Sequence, residues 1–339
     1  MDIKDIVFRL CSAYGASGDE NNAAETALDI LHGFCTDAGI VNGNVIGNFG
    51  IHQEGLPLLV LDAHIDQIGM IVTEITDDGF IKVANLGGID RRLLPAQQVI
   101  VHGKKDIKGV ICSVPPHLLK GGSSKVPEFS EISVDTGLSR GELEEIISAG
   151  DTITFDSPCR SLLNDRISGG ALDDRCGIAV ILLALDMLQG KKLKYNVSVI
   201  FSVQEELGER GAKIGAYRLN PDIAIAIDVS FAFAEGENRK KCGLLGRGAM
   251  IGISPCLSRE VSDILISVAK EAEIPYQLEV MNGLTSTNAD RYSESREGAK
   301  TCTLSVPLRN MHTPVEVIDL SDVRNMASLL AEFIAEQEH

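Results

Sequence analysis

The sequence predicts an α/β fold with a smaller β domain inserted into it, and three observations support this prediction. Amphipathic helical patterns alternate with short apolar runs near both ends of the chain, as in α/β domains. Between residues 73 and 160 the pattern changes to short β-like runs separated by turns. With 339 residues, the chain is also longer than a typical single domain. We expect one α/β domain built from residues 1–72 and 161–339, and a small β-barrel or sandwich at residues 73–160.

The first α/β segment begins with two predicted helices. Apolar residues recur with helical spacing over residues 3–14 and 20–38, and the turn-prone sequence Gly-Ala-Ser-Gly at 15–18 separates them. Strands are predicted at residues 41–49 and 57–62. In the β region that follows, a stretch rich in Pro, Gly and Ser at residues 115–131 predicts a mobile loop.

After residue 160 the alternation of helices and strands returns, without internal repeats. Helices are predicted at 174–188, from 208, at 260–273 and at 321–336, and strands at 196–202, 223–227, 276–280 and 301–306.

The composition argues against several classes of partner. The formal net charge of −17 would repel the phosphates of nucleic acids and anionic membranes. No apolar stretch approaches the roughly 20 residues of a transmembrane helix, and the N-terminal sequence is typical of an amphipathic helix, not of a signal peptide. The eight cysteines are scattered, without a Cys-x-x-Cys pair, which argues against a zinc ribbon or a disulfide framework. We expect a cytoplasmic protein.

His64 follows a predicted strand and is followed by Asp66 in the sequence His-Ile-Asp. In an extended segment, residues i and i+2 share a face, so Asp66 can hold one ring nitrogen of His64 and leave the other free for a metal. A structural or surface histidine is the ordinary alternative.

Asp173 and Asp174 open a continuously apolar helical run. Because aspartate is favoured at helix caps and in first turns, a capping role is the ordinary alternative to a metal ligand.

Glu205 and Glu206 follow a run that is expected to be a buried central strand. The carboxyl ends of such strands form the usual ligand crevice of open α/β sheets. The two side chains would point in different directions there, so one can bind a metal while the other faces a water. An acidic start to the next helix is the alternative.

Asp228 ends another predicted strand, where an aspartate can also simply begin a turn. His312 lies in the sequence Met-His-Thr-Pro beyond the predicted strand 301–306, and could be an ordinary loop histidine. Taken together, two histidines and several carboxylates at the ends of elements favour a pair of divalent metal ions over any other single interpretation.

Several sequence blocks resemble the tetrahedral (TET) aminopeptidases, the cytosolic family of deblocking and glutamyl aminopeptidases with two metal ions. The blocks follow one another along nearly the whole chain: DAHIDQIG, the Gly87-Gly88 pair, VPPHLL, ALDDRCG, VQEELGERGA, DVS, LGRG and SVPLRNMHTPVE. The resemblance implies a mixed-sheet α/β/α catalytic domain of the zinc-exopeptidase type with an inserted, PDZ-like small β-barrel. It also implies that this insertion mediates dimers, which assemble into a hollow tetrahedral dodecamer.

The resemblance further implies five metal ligands: His64, Asp173, Glu206, Asp228 and His312. Asp173 would bridge the two ions, His64 and Asp228 would complete one site, and Glu206 and His312 the other. Glu205 would be the general base, and Asp66 would support His64.

The implied activity is removal of the N-terminal residue from peptides with a free amino terminus. Divalent ions lower the pKa of water toward about 7 and polarise a carbonyl group. Glu205 would take a proton from the water and pass it to the leaving amine. Zinc is the first candidate for the two ions, and cobalt and manganese also suit the ligand set.

Three residues depart from the family's pattern: Gln67 where an acid is frequent, Asn288 where aspartate is common, and Asn310 where tyrosine is frequent. They lie beside the implied ligands and not among them, so they bear on substrate preference more than on the reaction.

Three other functions would be compatible with parts of this sequence. A related dinuclear deacylase, dipeptidase or carboxypeptidase would use a similar set of residues. A glycoside hydrolase needs two carboxyl groups about 5–9.5 Å apart, but this chemistry leaves both histidines unexplained. A non-catalytic scaffold would not need the complete set of ligands and the base.

Overall fold

A computed structural model of the chain describes residues 1–115, 118 and 126–336. The elements before the inserted domain are α1 (Ile3–Ser12), α2 (Asn21–Leu31), β1 (Gly39–Val41), β2 (Asn44–Phe49) and β3 (Leu58–His64). The inserted domain contains β4 (Gly69–Ile75), β5 (Ile81–Leu86), β6 (Gln98–His102), β7 (Asp106–Ile111), β8 (Ser133–Asp135), α3 (Arg140–Glu144) and β9 (Thr152–Phe155). The elements after it are β10 (Arg160–Ser161), β11 (Arg166–Gly169), α4 (Leu172–Leu188), β12 (Asn196–Ser202), α5 (Arg210–Leu219), β13 (Ile223–Phe231), β14 (Ala249–Ile253), α6 (Arg259–Glu271), β15 (Tyr276–Val280), α7 (Ala289–Glu294), β16 (Lys300–Leu308), β17 (Glu316–Asp319) and α8 (Leu320–Ile334).

The largest sheet has eight strands in the order β1-β2-β12-β3-β13-β16-β14-β15. The central strands β12, β3, β13 and β16 run parallel, and antiparallel pairs lie on both sides of them. These central strands are almost entirely buried, as their continuous apolar runs predict. Because they are parallel, their carboxyl ends meet at one edge of the sheet.

Helices cover both faces of this sheet. On one face α1, α4 and α8 form the main core, in which Leu10, Ile181 and Leu330 are fully buried. On the other face α5 and α7 cover the sheet, and Tyr292 packs near Ile200. The predicted mixed-sheet α/β/α architecture is confirmed.

The inserted domain is a closed antiparallel barrel in the order β4-β5-β8-β7-β6-β9. It has its own hydrophobic core, which includes Met70, Ile81, Val101 and Ile153. The predicted β region is therefore a barrel and not a sandwich. Of the predicted loop at 115–131, residues 116, 117 and 119–125 lie outside the described residues.

Two predicted elements near the N-terminus differ from the structure. Helix α2 ends at Leu31 instead of residue 38, and the segment after it is tied to β2 by the backbone and side-chain amides of Asn48, which donate to Asp37. The predicted strand 41–49 is part of a hairpin, because Asn42 and Gly43 adopt positive φ and turn the chain between β1 and β2.

No helix within residues 1–115, 118 and 126–336 combines the length and apolar character required to cross a membrane.

Candidate metal centre

A cavity of about 780 Å³ lies where the central strands of the large sheet end. Its lining includes six of the predicted site residues: His64, Asp173, Glu205, Glu206, Asp228 and His312. The seventh, Asp66, is fully buried and contacts His64. The fold thus brings together side chains that are widely separated in the sequence.

His64 is the last residue of β3 and is only 2% exposed. Its Nδ1 lies 3.0 Å from the backbone oxygen of Asp66 and 3.6 Å from the Asp66 carboxylate. Its Nε2 lies 3.0 Å from Oδ1 of Asp173 and 4.0 Å from Oδ1 of Asp228. The backbone oxygen of Asp66, and not its carboxylate as predicted, is therefore the hydrogen-bond partner of one ring nitrogen, and the other ring nitrogen faces the acidic groups.

Asp173 lies at the start of α4, between the two histidines. Its Oδ1 is 3.0 Å from Nε2 of His64, and its Oδ2 is 3.3 Å from Nε2 of His312. The neighbouring Asp174, in contrast, accepts hydrogen bonds from the backbone N–H groups of His64 and Gly177. Asp174 therefore performs the capping role considered for this pair, and the Asp173 carboxylate faces the imidazoles.

His312 lies in a tight turn with a φ of 59° and contacts both the sheet domain and the barrel domain. Its Nε2 is 3.1 Å from Oε1 of Glu206, and its Nδ1 is 2.9 Å from the backbone oxygen of Gly88, in the loop after β5. A Cβ atom on Gly88 would lie 2.9 Å from this ring, so only glycine allows the loop to approach so closely. The barrel thus contributes to the wall of the site.

Glu205 and Glu206 follow β12 and point in different directions, as predicted. Glu206 contacts His312, whereas the Glu205 carboxylate lines the cavity without a hydrogen bond to either imidazole among the described contacts. Burial, together with the negative charges of Asp228 and Glu206, raises the pKa of Glu205 to about 9. Carboxyl groups with perturbed pKa values in a cavity are frequent at functional sites.

Asp228 does not end its strand, contrary to the prediction, because β13 continues to Phe231. The reason lies in the pairing: β13 pairs with β3 only as far as Ala226, whereas its pairing with β16 continues to Leu308. Asp228 therefore lies two residues beyond the last paired position of β3, level with His64. Burial and the charge of Asp173 raise its pKa to about 7.

Bound cations would balance the negative charge of the carboxylates at this site. Burial disfavours protonation of His312, but hydrogen bonds to Asp173 and Glu206 outweigh it and raise its pKa to about 11. Among the described residues, no lysine or arginine forms an ion pair with Asp173, Glu205, Glu206 or Asp228. So many buried carboxylates without a basic partner are typical of a metal site.

Two groups of donor atoms meet the spacing of a metal site. The ligand atoms of His64, Asp173 and Glu206 lie within 4.8 Å of one another, and so do those of His64, Asp174 and Asp228. Imidazole nitrogens and carboxylate oxygens are suitable donors for zinc, cobalt and manganese.

One residue of the site, Glu316, was not anticipated from the sequence. It is 2% exposed, and its carboxylate accepts hydrogen bonds from the backbone N–H groups of Asp173 and His312. Burial and the charge of Asp173 raise its pKa well above the usual range for glutamate. A signal was present in the sequence, since Glu316 is an acid placed four residues after His312.

The three residues that depart from the family's pattern lie beside the site. The backbone N–H of Gln67 donates to Gly15, and the Asn310 side chain donates to the backbone oxygen of Val315. Asn288 is buried, and its side-chain amide donates to the carboxylate of Asp62 on β3. None of them contacts a predicted ligand through the described hydrogen bonds.

Sequence comparison identifies a family and relatives that are similar to this chain. The sequence model of the family described as M42 glutamyl aminopeptidase matches residues 43–329. A lysyl aminopeptidase of Pyrococcus furiosus is 32% identical over 340 residues, which cover 98% of this chain and 96% of the relative.

Solved structures are similar over the whole chain. An aminopeptidase of the archaeon Desulfurococcus kamchatkensis has a TM-score of 0.92 and 35% identity, covering 99% of this chain and 95% of its own. The TET1 peptidase of Pyrococcus horikoshii can assemble into a tetrahedron or a large octahedral shell. Its structure has a TM-score of 0.86 and 30% sequence identity to this chain, and the match covers 99% of this chain and 100% of the TET1 chain.

These matches extend over both the sheet domain and the inserted barrel, and they confirm the resemblance inferred from the sequence blocks. The chain is therefore a peptidase that belongs to the M42 glutamyl aminopeptidase family.

Proposed function

We propose that this protein releases the N-terminal residue from peptides with a free amino terminus and uses two divalent metal ions to do so. The observation that carries the proposal is the position of Asp173 between two imidazoles. Each of its carboxylate oxygens lies within 3.3 Å of one histidine Nε2 atom, as expected of a carboxylate that bridges two ions.

Five residues would hold the ions: His64, Asp173, Glu206, Asp228 and His312. Asp173 would be shared, His64 and Asp228 would complete one site, and Glu206 and His312 the other. The short distance between Glu206 and His312 supports this pairing. The donors suit zinc first, and also cobalt or manganese.

Bound divalent ions would lower the pKa of water and polarise the scissile carbonyl group. Glu205 would act as the general base: its carboxylate would accept the proton of the attacking water and donate it to the leaving amine. Its position on the cavity wall, without a hydrogen bond to either histidine, supports this role.

Asp66 would act on the reaction through His64, by fixing the orientation and the tautomer of the imidazole. Its complete burial and its contact with Nδ1 of His64 support this role.

We further propose that the sheet domain is the catalytic domain and that the inserted barrel, whose first strand β4 begins at Gly69 and not at residue 73, is a dimerisation domain. The TM-score to the TET1 peptidase of Pyrococcus horikoshii supports assembly of such dimers into a tetrahedral dodecamer. We also propose a cytoplasmic location, and the net charge of −17 supports the proposal that the protein binds neither nucleic acids nor anionic membranes.

The test compares free and blocked substrates at a known metal content. The protein is stripped with a chelator, reloaded separately with zinc, cobalt and manganese, and its metal content is measured by mass spectrometry. We expect two ions per chain and hydrolysis of aminoacyl coumarin amides with a free amino group, but not of their N-acetylated forms. Hydrolysis of only the acetylated forms would favour the alternative, a related dinuclear deacylase or dipeptidase, and undiminished activity after chelation would contradict metal dependence.

A further inference from the structure

The buried carboxylate of Glu316 lies beside the metal centre but has no part in the proposed reaction. Glu316 is the first residue of β17, which pairs with β11 so that Glu316 lies opposite Gly169. Strand β11 leads directly into the start of α4, where Asp173 lies, and β17 directly follows the turn that carries His312. The pairing of these two short strands therefore brings together the segments that carry two of the proposed ligands.

Glu316 uses one carboxylate oxygen for each of these two segments. The backbone N–H of Asp173 donates to its Oε2 at 3.2 Å, and the backbone N–H of His312 donates to its Oε1 at 3.0 Å. The side chain is 2% exposed, so water has little access to these hydrogen bonds. One carboxylate thus connects the backbones of two residues whose side chains meet at 3.3 Å in the site.

Neither N–H group has a partner in regular secondary structure. Asp173 lies in the first turn of α4, where N–H groups lack an intrahelical acceptor, and its φ and ψ of −76° and 107° are not helical. His312 adopts a φ of 59°, a left-handed conformation that is unfavourable for a residue with a side chain and persists only where contacts hold it. Glu316 is the acceptor for both N–H groups, and the described hydrogen bonds give them no other.

The turn that carries His312 is held by three contacts. Arg309 and Val317 close its ends, because their backbones exchange two hydrogen bonds of 3.0 Å. The Nδ1 atom of His312 lies 2.9 Å from the backbone oxygen of Gly88 in the barrel domain. The third contact, with Glu316, connects the turn to α4 and so fixes the backbone of His312 relative to the proposed bridging carboxylate.

The other three proposed ligands are positioned by different groups. His64 ends β3, and its Nδ1 lies 3.0 Å from the backbone oxygen of Asp66. Asp228 lies within β13, and the backbone N–H of Glu206 donates to the carboxylate of Asp66. None of these three ligands forms a described hydrogen bond with Glu316. Loss of Glu316 should therefore disturb the two proposed ion sites unequally.

We propose that Glu316 is a positioning residue: it sets the separation of Asp173 and His312 and thereby controls the occupancy of one of the two proposed ion sites. The controlled site is the one completed by Glu206 and His312 (the His312 site). The other site, which His64 completes with an aspartate of β13 (the His64 site), would fill without it. This inference rests on the proposed function, because it concerns the same two-ion centre.

The main experiment counts the ions bound by Glu316→Gln. Glutamine has the same length, but its amide presents one acceptor oxygen and one NH₂ donor, so one of the two backbone N–H groups would face another donor. Stripped protein is titrated with zinc against a competing chelator, and mass spectrometry under non-denaturing conditions counts the ions per chain. The wild type should bind two ions. In Glu316→Gln the first ion should bind within about 3-fold of the wild-type affinity, and the second about 10- to 100-fold more weakly.

Cobalt identifies the site that loses its ion. The absorption spectrum of His312→Ala, which keeps the ligands of the His64 site, is recorded with one cobalt ion per chain. Glu316→Gln with one cobalt ion per chain should show this spectrum, and not that of His64→Ala. With excess cobalt the second ion should bind, and the spectrum should approach that of the wild type.

Asp322→Asn is the matched control. Asp322 is also a fully buried carboxylate that accepts two backbone N–H bonds, from Gly246 and Gly248, but it forms no described hydrogen bond with a proposed ligand. The control should bind both ions as the wild type does, even if its midpoint of thermal unfolding changes. Loss of the second ion from the control as well would mean that reduced stability alone empties the site, and would overturn the inference.

A second measurement uses the unaltered chain and does not depend on the folding of a variant. Hydrogen exchange of the stripped wild type, resolved to single residues by fragmentation in the mass spectrometer, compares the N–H of His312 with that of Thr313, which has no described hydrogen bond. If Glu316 positions His312 before ions bind, the N–H of His312 should exchange at least about 10-fold more slowly.

Two ions of wild-type affinity in Glu316→Gln, an equal loss from both sites, or equally fast exchange of His312 and Thr313 would overturn the inference. In each case hydrolysis of aminoacyl amides by the wild type would remain evidence for the proposed function. A wild type that binds two ions but hydrolyses none of these amides would refute the proposed function, whereas the ion counts would still decide the role of Glu316.

Discussion

The carboxylate of Asp66 lies 3.6 Å from Nδ1 of His64 and also holds the segment that carries both glutamates. It accepts hydrogen bonds from the hydroxyl of Ser17 at 2.6 Å, from the backbone N–H of Glu205 at 2.9 Å and from that of Glu206 at 3.1 Å. One buried carboxylate thus lies against the imidazole on β3 and positions the residues after β12. Changes at Asp66 should therefore act on both sides of the proposed metal centre.

We expect Asp66→Asn to weaken metal binding about 10- to 100-fold, because an amide orients the imidazole less firmly than a carboxylate does. Zinc affinity is measured by titrating the stripped protein against a competing chelator. Asp263→Asn, at an exposed position on α6, serves as the control. An unchanged affinity would mean that the contact with Asp66 is not needed to position His64.

We expect Glu205→Gln to keep both ions while kcat falls about 10²- to 10⁴-fold, since the amide cannot accept the proton of the attacking water. Metal content and kcat on a leucine amide are measured on the same sample. Glu209→Gln, in the same segment but in an ion pair with Arg291, should retain activity. A Glu205→Gln protein with wild-type turnover would remove Glu205 from the mechanism.

We expect Asp173→Ala to lose both ions and all measurable hydrolysis, because the side chain faces both histidines. Mass spectrometry of the intact complex under non-denaturing conditions counts the ions per chain. A variant that still holds two ions would show that another group, such as Asp174, joins them.

We expect Tyr292→Phe to lower the free energy of unfolding by about 1–3 kcal/mol, since the Tyr292 hydroxyl donates to the buried carboxylate of Asp62 at 2.8 Å. Thermal unfolding of the stripped protein measures the effect without a contribution from bound ions. Tyr217→Phe, at a side chain that is 64% exposed, is the matched control and should change the midpoint little. Equal midpoints for both variants would contradict the importance of this hydrogen bond.

The buried carboxyl group of Asp322 should make the free energy of unfolding depend on pH. It is fully buried, and although it accepts hydrogen bonds from the backbone N–H groups of Gly246 and Gly248, burial raises its pKa from 3.8 to about 6. Below pH 4 this carboxyl is protonated in the folded and the unfolded protein. Between pH 4 and 6 the Asp322 carboxyl group binds fewer protons in the unfolded protein than in the folded protein. The contribution of Asp322 to the free energy of unfolding therefore falls as the pH rises, by about 3 kcal/mol in total.

Asp322→Asn should lack this contribution, so its stability relative to the wild type should rise between pH 4 and pH 6.5. Urea unfolding at several pH values measures the difference. Asp263→Asn should show a constant difference over this range. A constant difference for Asp322→Asn as well would contradict the assigned pKa.

Much of the fold could be predicted because its central elements are long and continuously apolar. The buried faces of α4 and α8 and the strands β3, β12 and β16 are read directly from such runs. Short elements were not predicted: β1, β10, β11 and β17 have at most four residues, and their pairing depends on partners far along the chain.

The convergence of side chains on one cavity could be predicted where the residues stand at or just after the ends of strong elements, as His64 and Glu206 do. Asp228 was found at its position, although its strand was predicted to end too early. Glu316 was missed although it follows His312 by four residues, because its second contact is with the distant Asp173. Asp62 could not be recognised, since its contacts are with residues that are distant in the sequence.

The hydrogen bond between His312 and Gly88 joins residues that are 224 positions apart in the sequence. A nascent chain that has not yet gained residue 312 lacks this contact between the barrel and the sheet domain, so the proposed cation sites cannot be assembled before both segments have been synthesised. Ion capture would then follow the docking of the two domains, and chains that lack either segment would stay inert toward peptides.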